Sequence, residues 1–203
     1  MNSSESSISE QLRQAYAERD AELREHFQRS LPLQDAMMDR WERAQRLGFD
    51  EGASIYNSAI VFGDVNVGEQ TWVGPYVVLD GSGGALSIGA FCSVAVAVHI
   101  YTHDTIGWAL SAGRLGPRTA PVAIGNCTYL GPQSIIAAGT TIGTRCVVAA
   151  NSVVNCDVPD GTVVGGSPAR QLGKVEMDGD EPVLHFDSGQ RTFLMREGEQ
   201  RYG

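Results

Sequence analysis

From residue 61 to residue 154 an aliphatic side chain returns at every sixth position. The series is Val61, Val67, Val73 and Leu79, then, after three extra residues, Ile88, Val94 and Ile100. It resumes after a longer break as Ile124, Leu130, Ile136, Ile142, Val148 and Val154. The residue after each is usually Gly or Ala: Gly68, Gly74, Gly89, Ala95, Gly125, Gly131, Ala137, Gly143, Ala149. The fifth residue is often small or β-branched: Thr71, Val77, Cys92, Val98, Thr128, Ser134, Thr140, Cys146, Ser152. A period of six fits neither the 3.6-residue helix nor the strict alternation of a strand. It fits short strands joined by tight corners. The aliphatic points inward, the small residue packs at the corner, and Gly or Asn takes the unusual backbone angles. Three such units close one triangular coil, and stacked coils bury a continuous column of Val, Ile and Leu. The pattern therefore predicts an all-β solenoid over residues 51–172.

The flanks follow other periods. Residues 1–50 read as a helical segment. "SISE" is a capping box, with Ser7 as N-cap and Glu10 three residues on. Ile8, Leu12, Tyr16, Leu23 and Phe27 then share one face. "LPL" at 31–33 breaks this helix, and a second is predicted from Asp35, with Met37, Trp41, Ala44 and Leu47 on one stripe and Gly48 as its stop. Residues 173–203 read as a short β extension, with a hairpin turn at "MDGD" and His185 in a structural role.

Charge and composition narrow the partners. With 15 Lys and Arg against 24 Asp and Glu, the formal charge is -9. That argues against a nucleic-acid binder and against anchoring to anionic membrane. No apolar run is long enough to span a bilayer, and the first residues lack a signal pattern, so a cytoplasmic location is expected. Cys92, Cys127, Cys146 and Cys156 form no CxxC pair and read as small buried hydrophobes.

The series breaks at "HIYTHDTIGWALSAGRLGPRTAP", residues 99–121, which brings His99, His103, Asp104, Trp108, Arg114 and Arg118. Here lies the candidate chemistry. A second, smaller break is "DGSGGALS", residues 80–87. It reads either as a plain glycine loop or as a bulged corner facing a substrate. No helical pattern follows its glycines, so it is not a dinucleotide-binding loop.

The hexapeptide units, together with "IYTHD" (100–104), "IGNCTYLGPQSII" (124–136), "TIGTRCVVAANSVV" (141–154) and "VVGGSPARQLG" (163–173), resemble the left-handed parallel β-helix acyltransferases. The likeness is to the sugar O-acetyltransferase branch of maltose, galactoside and nodulation type and its surface-polysaccharide relatives. The resemblance implies a homotrimer with active sites between neighbouring subunits, acetyl-CoA as co-substrate with no permanently bound cofactor, and a loop histidine as general base, here His103. It places the CoA-side positions at Tyr129, Gly131, Ala149, Ala150, Ser167, Arg170 and Lys174. Relatives carry Trp and Ser where this chain has Tyr129 and Pro132, which leaves the Gly131 amide rather than a hydroxyl to meet the thioester oxygen.

Imidazole suits removal of a hydroxyl proton because its pKa lies near working pH. His99 is the rival base, or a neighbour of the site on a flat face. Asp104 orients His103, contacts the acceptor or caps a loop turn. Trp108 stacks on a sugar or packs in the loop, and Arg114 and Arg118 meet acceptor or CoA phosphates. A zinc site of the kind γ-type carbonic anhydrases build on this fold needs three histidines, and only His26, His99, His103 and His185 exist, with His26 in the helical segment and His185 in the tail. The expected function is acetyl-CoA-dependent O-acetylation of a sugar hydroxyl on a polysaccharide or glycoconjugate precursor. The alternatives are N-acetylation of an amino sugar nucleotide, and a non-catalytic binding or scaffold solenoid.

Overall fold

The computed structural model describes residues 7–188 and the backbone of 191–193. The first six residues and the end of the expected β extension lie outside this range. Strands pair in parallel with partners eighteen residues on: Ala123 with Thr141, Tyr129 with Val147, Ile135 with Val153. Each coil thus holds three hexapeptides, one per wall. The first wall stacks Ser54–Ile55, Trp72–Val73, Ser93–Val94, Tyr129–Leu130, Val147–Val148 and Thr162–Gly165. The second stacks the first halves of Ile60–Val67 and Val78–Ile88, then His99–Tyr101, Ile135–Ile136 and Val153–Val154. The third stacks the other halves of those two long strands, then Val122–Ile124 and Thr141–Ile142, and ends in a bridge to Val158.

The predicted inward aliphatics form the core. Val73, Leu79, Val94, Ile100, Leu130, Ile136, Val148 and Val154 are fully buried. The fifth-place residues bind the coils together along one edge. Thr71 Oγ1 donates to Gly89 O at 2.7 Å, Cys92 Sγ to Gly125 O at 3.2 Å, Thr128 Oγ1 to Gly143 O at 2.9 Å and Cys146 Sγ to Pro159 O at 3.1 Å. Burial pushes the Cys92 and Cys146 thiols up. Cys127 and Cys156 are exposed, so the reading of all four as buried holds for only two.

The corners correct one expectation. The left-handed residue stands three places after each aliphatic and is seldom Gly or Asn: Gln70, Tyr76, Phe91, Ala97, Cys127, Gln133 and Arg145 all hold φ between 55° and 60°. Stacking imposes it, because these N–H groups donate to the coil before: Phe91 to Glu69 O, Cys127 to Ala90 O, Arg145 to Asn126 O, each within 2.9 Å. The glycine after the aliphatic serves close approach instead. A Cβ at Gly125 or Gly131 would come within 2.6 Å of the backbone of the next coil.

Helices close the first coil. The capping box at Ser7 forms as predicted, and α1 spans Ile8–Phe27. Of its apolar face only Leu23 is buried. The second predicted helix is split into α2 (Leu33–Met37) and α3 (Arg40–Arg46). The break has a local cause: the Asp39 side chain accepts from Trp41 N and Glu42 N and so starts a new helix. α3 seats Ala44 in the core, and its Arg43 guanidinium donates to Tyr56 O and, at 2.8 Å, to Ala59 O. At the other end Thr162–Gly165 pairs antiparallel with Arg170–Asp178, which returns through a turn at Gly179 as Glu181–Phe186. His185 pairs there with Glu176 at 3.2 Å, which fits its structural reading. None of the described helices is long and apolar enough to cross a membrane.

Candidate active site

The longer break leaves the solenoid between the second and third walls. His103–Asp104 pairs antiparallel with Arg118–Thr119, so the inserted segment stands out as a hairpin. Its tip carries the short helix α4 (Ile106–Leu110). Register is kept on both sides, with Ser87 opposite Ala123 and His99 opposite Ile135. The insertion thus adds one coil's length of chain without disturbing the walls.

The smaller break lies directly beneath. In "DGSGG", residues 80–84, Asp80 is buried and its carboxylate stands 3.4 Å from His103 Nδ1. Ser82 Oγ donates to Asp80 Oδ1 at 2.5 Å and lies 3.4 Å from the same ring nitrogen, and Ser82 N donates to Asp80 Oδ1 at 3.0 Å. The fully buried Thr102 locks the two segments: its Oγ1 donates to Asp80 O at 2.7 Å and accepts from Gly83 N at 3.0 Å. Glycine is required where they meet, because a Cβ at Gly83 would fall 2.6 Å from the His103 Cβ. The segment is therefore a bulged corner built against the histidine, not a plain glycine loop. A carboxylate oxygen accepts, so a neutral ring that carries its proton on Nδ1 can donate toward Asp80, and Nε2 has no partner among the described residues. A third of the His103 side chain is exposed. A partly exposed imidazole with a carboxylate behind it and no partner on Nε2 among the described residues can take a proton from a substrate hydroxyl.

Asp104 does not orient His103. Its carboxylate accepts from Ile106 N at 3.1 Å and meets Arg118 Nη1 at 3.5 Å, so it closes the turn that leads into the loop helix. Arg118 is engaged there and also donates to Ala138 O at 3.5 Å. Trp108 and Arg114 remain exposed on the hairpin, beside the exposed Ile106, Leu110 and Leu115. His99 points outward from the second wall, with its Nδ1 3.1 Å from Tyr101 Oη.

The CoA-side candidates sit at another corner, between the first and second walls, with Ser167, Arg170 and Lys174 at its far end. Ser167, Arg170 and Lys174 are exposed, and Tyr129 is half-exposed. The Gly131 amide is not available, because it donates to Val148 O at 2.8 Å, and the Ala149 amide donates to Val164 O at 2.8 Å. The amide of Ala150, against which Gly131 is packed, has no partner among the described residues. A single chain thus brings Asp80, Ser82 and His103 together but holds Tyr129, Gly131, Ala149 and Ala150 at a different edge. Among the described residues no three His, Cys, Asp or Glu side chains group as a metal site.

Known proteins share this architecture. Residues 121–156 match the family of bacterial transferases with six hexapeptide repeats. The chain is 30% identical over 135 residues to WbbJ of Escherichia coli (strain K12), a protein named for O-acetyl transfer in lipopolysaccharide biosynthesis; the match covers 62% of this chain and 68% of the relative. It is 40% identical over 65 residues to a 2,3,4,5-tetrahydropyridine-2,6-dicarboxylate N-acetyltransferase of Staphylococcus aureus, but there it covers 32% of this chain and only 27% of the relative. The fold also matches a hexapeptide-repeat acetyltransferase of Vibrio cholerae O1 biovar eltor, solved with acetyl coenzyme A. That match has a TM-score of 0.57 and 27% identity, over 85% of this chain and 91% of that one. Such neighbours imply a left-handed parallel β-helix. A six-residue register kept through every wall and a likeness spanning two thirds of WbbJ lead to one assignment: the chain belongs to the hexapeptide-repeat transferases.

Proposed function

We propose that the protein is an acetyl-CoA-dependent O-acetyltransferase acting on a sugar hydroxyl of a polysaccharide or glycoconjugate precursor. The observation that carries this reading is the Asp80–His103 pair at the foot of the hairpin. A hydroxyl must lose its proton as it attacks, and a positioned base contributes about 100- to 10,000-fold. In this mechanism His103 Nε2 takes the hydroxyl proton while Asp80 holds the opposite ring nitrogen and stabilises the imidazolium. The oxygen attacks the thioester carbonyl, the Ala150 N–H receives the developing oxyanion, and the CoA thiolate leaves. Gly131 serves by leaving room for Ala150, not by its own amide. Tyr129, Ala149, Ser167, Arg170 and Lys174 line the path of CoA, and Trp108, Arg114, Asp104 and His99 lie on the acceptor side.

The two halves of this site occupy different edges of one protomer, which supports a trimer of left-handed solenoids with each site between two copies. The second wall supports it further. Its outward residues Ile60, Val78, His99, Ile135 and Val153 stand in register as an apolar ladder around one histidine. The matching positions of the third wall are Asn66, Ser87, Ala123 and Thr141.

The test is CoA release with a panel of hydroxyl and amine acceptors, comparing the wild type with His103→Ala. Turnover that survives the substitution undiminished overturns the base assignment, and a preference for amines overturns O-acetylation.

A further inference from the structure

A cavity lies where the helices meet the first coil, at the corner between the first and second walls. It measures about 150 Å3 and opens to solvent between the C-terminal half of α1, the α2–α3 junction and Tyr56. Its walls combine flat rings with guanidinium groups, in a chain whose net charge is -9. Arg40 lies 4.1 Å over the Trp41 ring and 5.6 Å from the Tyr56 ring, and its Nη1 donates to Tyr56 Oη at 3.4 Å. Arg29 lies 5.1 Å over Phe27. Neither has a carboxylate partner among the described residues. Two carboxylates also line the cavity, each already accepting from backbone N–H groups: Asp35 from Ser58 N at 2.7 Å, and Asp39 from Trp41 N and Glu42 N. The third arginine, Arg19, is paired with Glu22.

Two guanidinium groups without carboxylate partners among the described residues, held beside rings, are pre-organised donors for a carboxylate or phosphate, and half-exposed Trp41 is a surface on which a flat molecule stacks. From this juxtaposition of Arg29 and Arg40 with Trp41 and Tyr56, we infer that the helical cap holds a binding site for a small organic anion: a planar ring bearing a phosphate or carboxylate. The ring lies against Trp41 and Tyr56, and its anionic group takes the donors of Arg40 and Arg29. This site uses none of the residues assigned to the proposed acetyl transfer. Its ligand bridges helix and coil, so binding stabilises the seating of the cap on the solenoid.

The experiment is calorimetric titration of the full chain with uridine monophosphate, with uridine, and with inorganic phosphate. These probes separate ring from anion. The expected result is saturable binding of the monophosphate, with uridine and phosphate each at least about tenfold weaker. Arg40→Gln and Arg29→Gln each weaken the monophosphate by about tenfold or more, and Arg40→Lys falls between. Helical circular dichroism checks that the cap persists; if Arg40→Gln loses it, Arg29→Gln decides. Absence of saturable binding in the wild type overturns the proposal, and so does unchanged affinity in folded Arg29→Gln and Arg40→Gln, which would place the probe elsewhere. CoA release measured on the same variants is expected to match the wild type, so failure here leaves the acetyl-transfer reading untouched.

Discussion

Asp80 and His103 belong to different coils, yet the Asp80 carboxylate lies 3.4 Å from His103 Nδ1, held in place by Ser82 and by the buried Thr102. In the proposed mechanism the carboxylate favours the tautomer that leaves Nε2 free to accept a proton. Replacing Asp80 with Asn keeps the shape but allows the amide to donate, so the opposite tautomer gains. Asp80→Asn is expected to lower kcat about a hundredfold while the KM for acetyl-CoA stays within about twofold of the wild type. Steady-state kinetics with saturating acceptor checks this; an unchanged kcat removes Asp80 from the mechanism.

The buried Ser134 hydroxyl has no hydrogen-bond partner among the described residues. A buried unsatisfied hydroxyl costs about 1–3 kcal/mol, and removing it leaves only a small void. Ser134→Ala is therefore expected to hold or raise stability, by up to about 1 kcal/mol. Urea denaturation measures it, and a loss beyond about 1 kcal/mol would show that the hydroxyl is satisfied.

Corner residues separate two kinds of strain. Phe91 holds φ at 55° with 58% of its surface exposed, so Phe91→Asn removes strain and little burial; a gain of about 0.5–1 kcal/mol is expected. Gly131→Ala is the converse, since its Cβ would stand 2.6 Å from Ala150 N, and a loss of about 1–3 kcal/mol is expected. Denaturation midpoints of the two variants should move in opposite directions.

Thiol labelling reads the cysteine pattern. Cys127 and Cys156 are exposed, while Cys92 and Cys146 are buried, with thiols pushed up by desolvation and so poor in thiolate. In the folded protein two thiols are expected to react promptly with an aromatic disulfide reagent at mildly alkaline pH, and all four after denaturation. Prompt reaction of Cys92 or Cys146 would contradict this packing.

The solenoid was legible because its signal is redundant: each aliphatic from Val73 to Val154 repeats the same instruction, and burial follows it. The capping box at Ser7 and the turn at Gly179 were legible for a local reason, since their partners lie within a few residues. Asp80 was not, because its partner is a coil away and its own segment shows only glycines and a lost register. The three extra residues marked where to look but not what would be found. The left-handed corners at Tyr76, Phe91 and Arg145 were hidden because inter-coil hydrogen bonds, not residue preference, set them. The Gly131 amide was assigned to the site because sequence cannot show that Val148 already takes it.

The hairpin at 103–119 enters and leaves at a single corner while the walls on either side keep their pairing. The free energy of adding such a segment is a loop-closure term that grows only slowly with length. The column of Val, Ile and Leu is thus mechanically insulated from whatever the hairpin carries. The part of the hairpin beyond His103 is thus an exchangeable cartridge: a lineage can lengthen, shorten or rewrite it and still keep a folded solenoid and the Asp80–His103 pair.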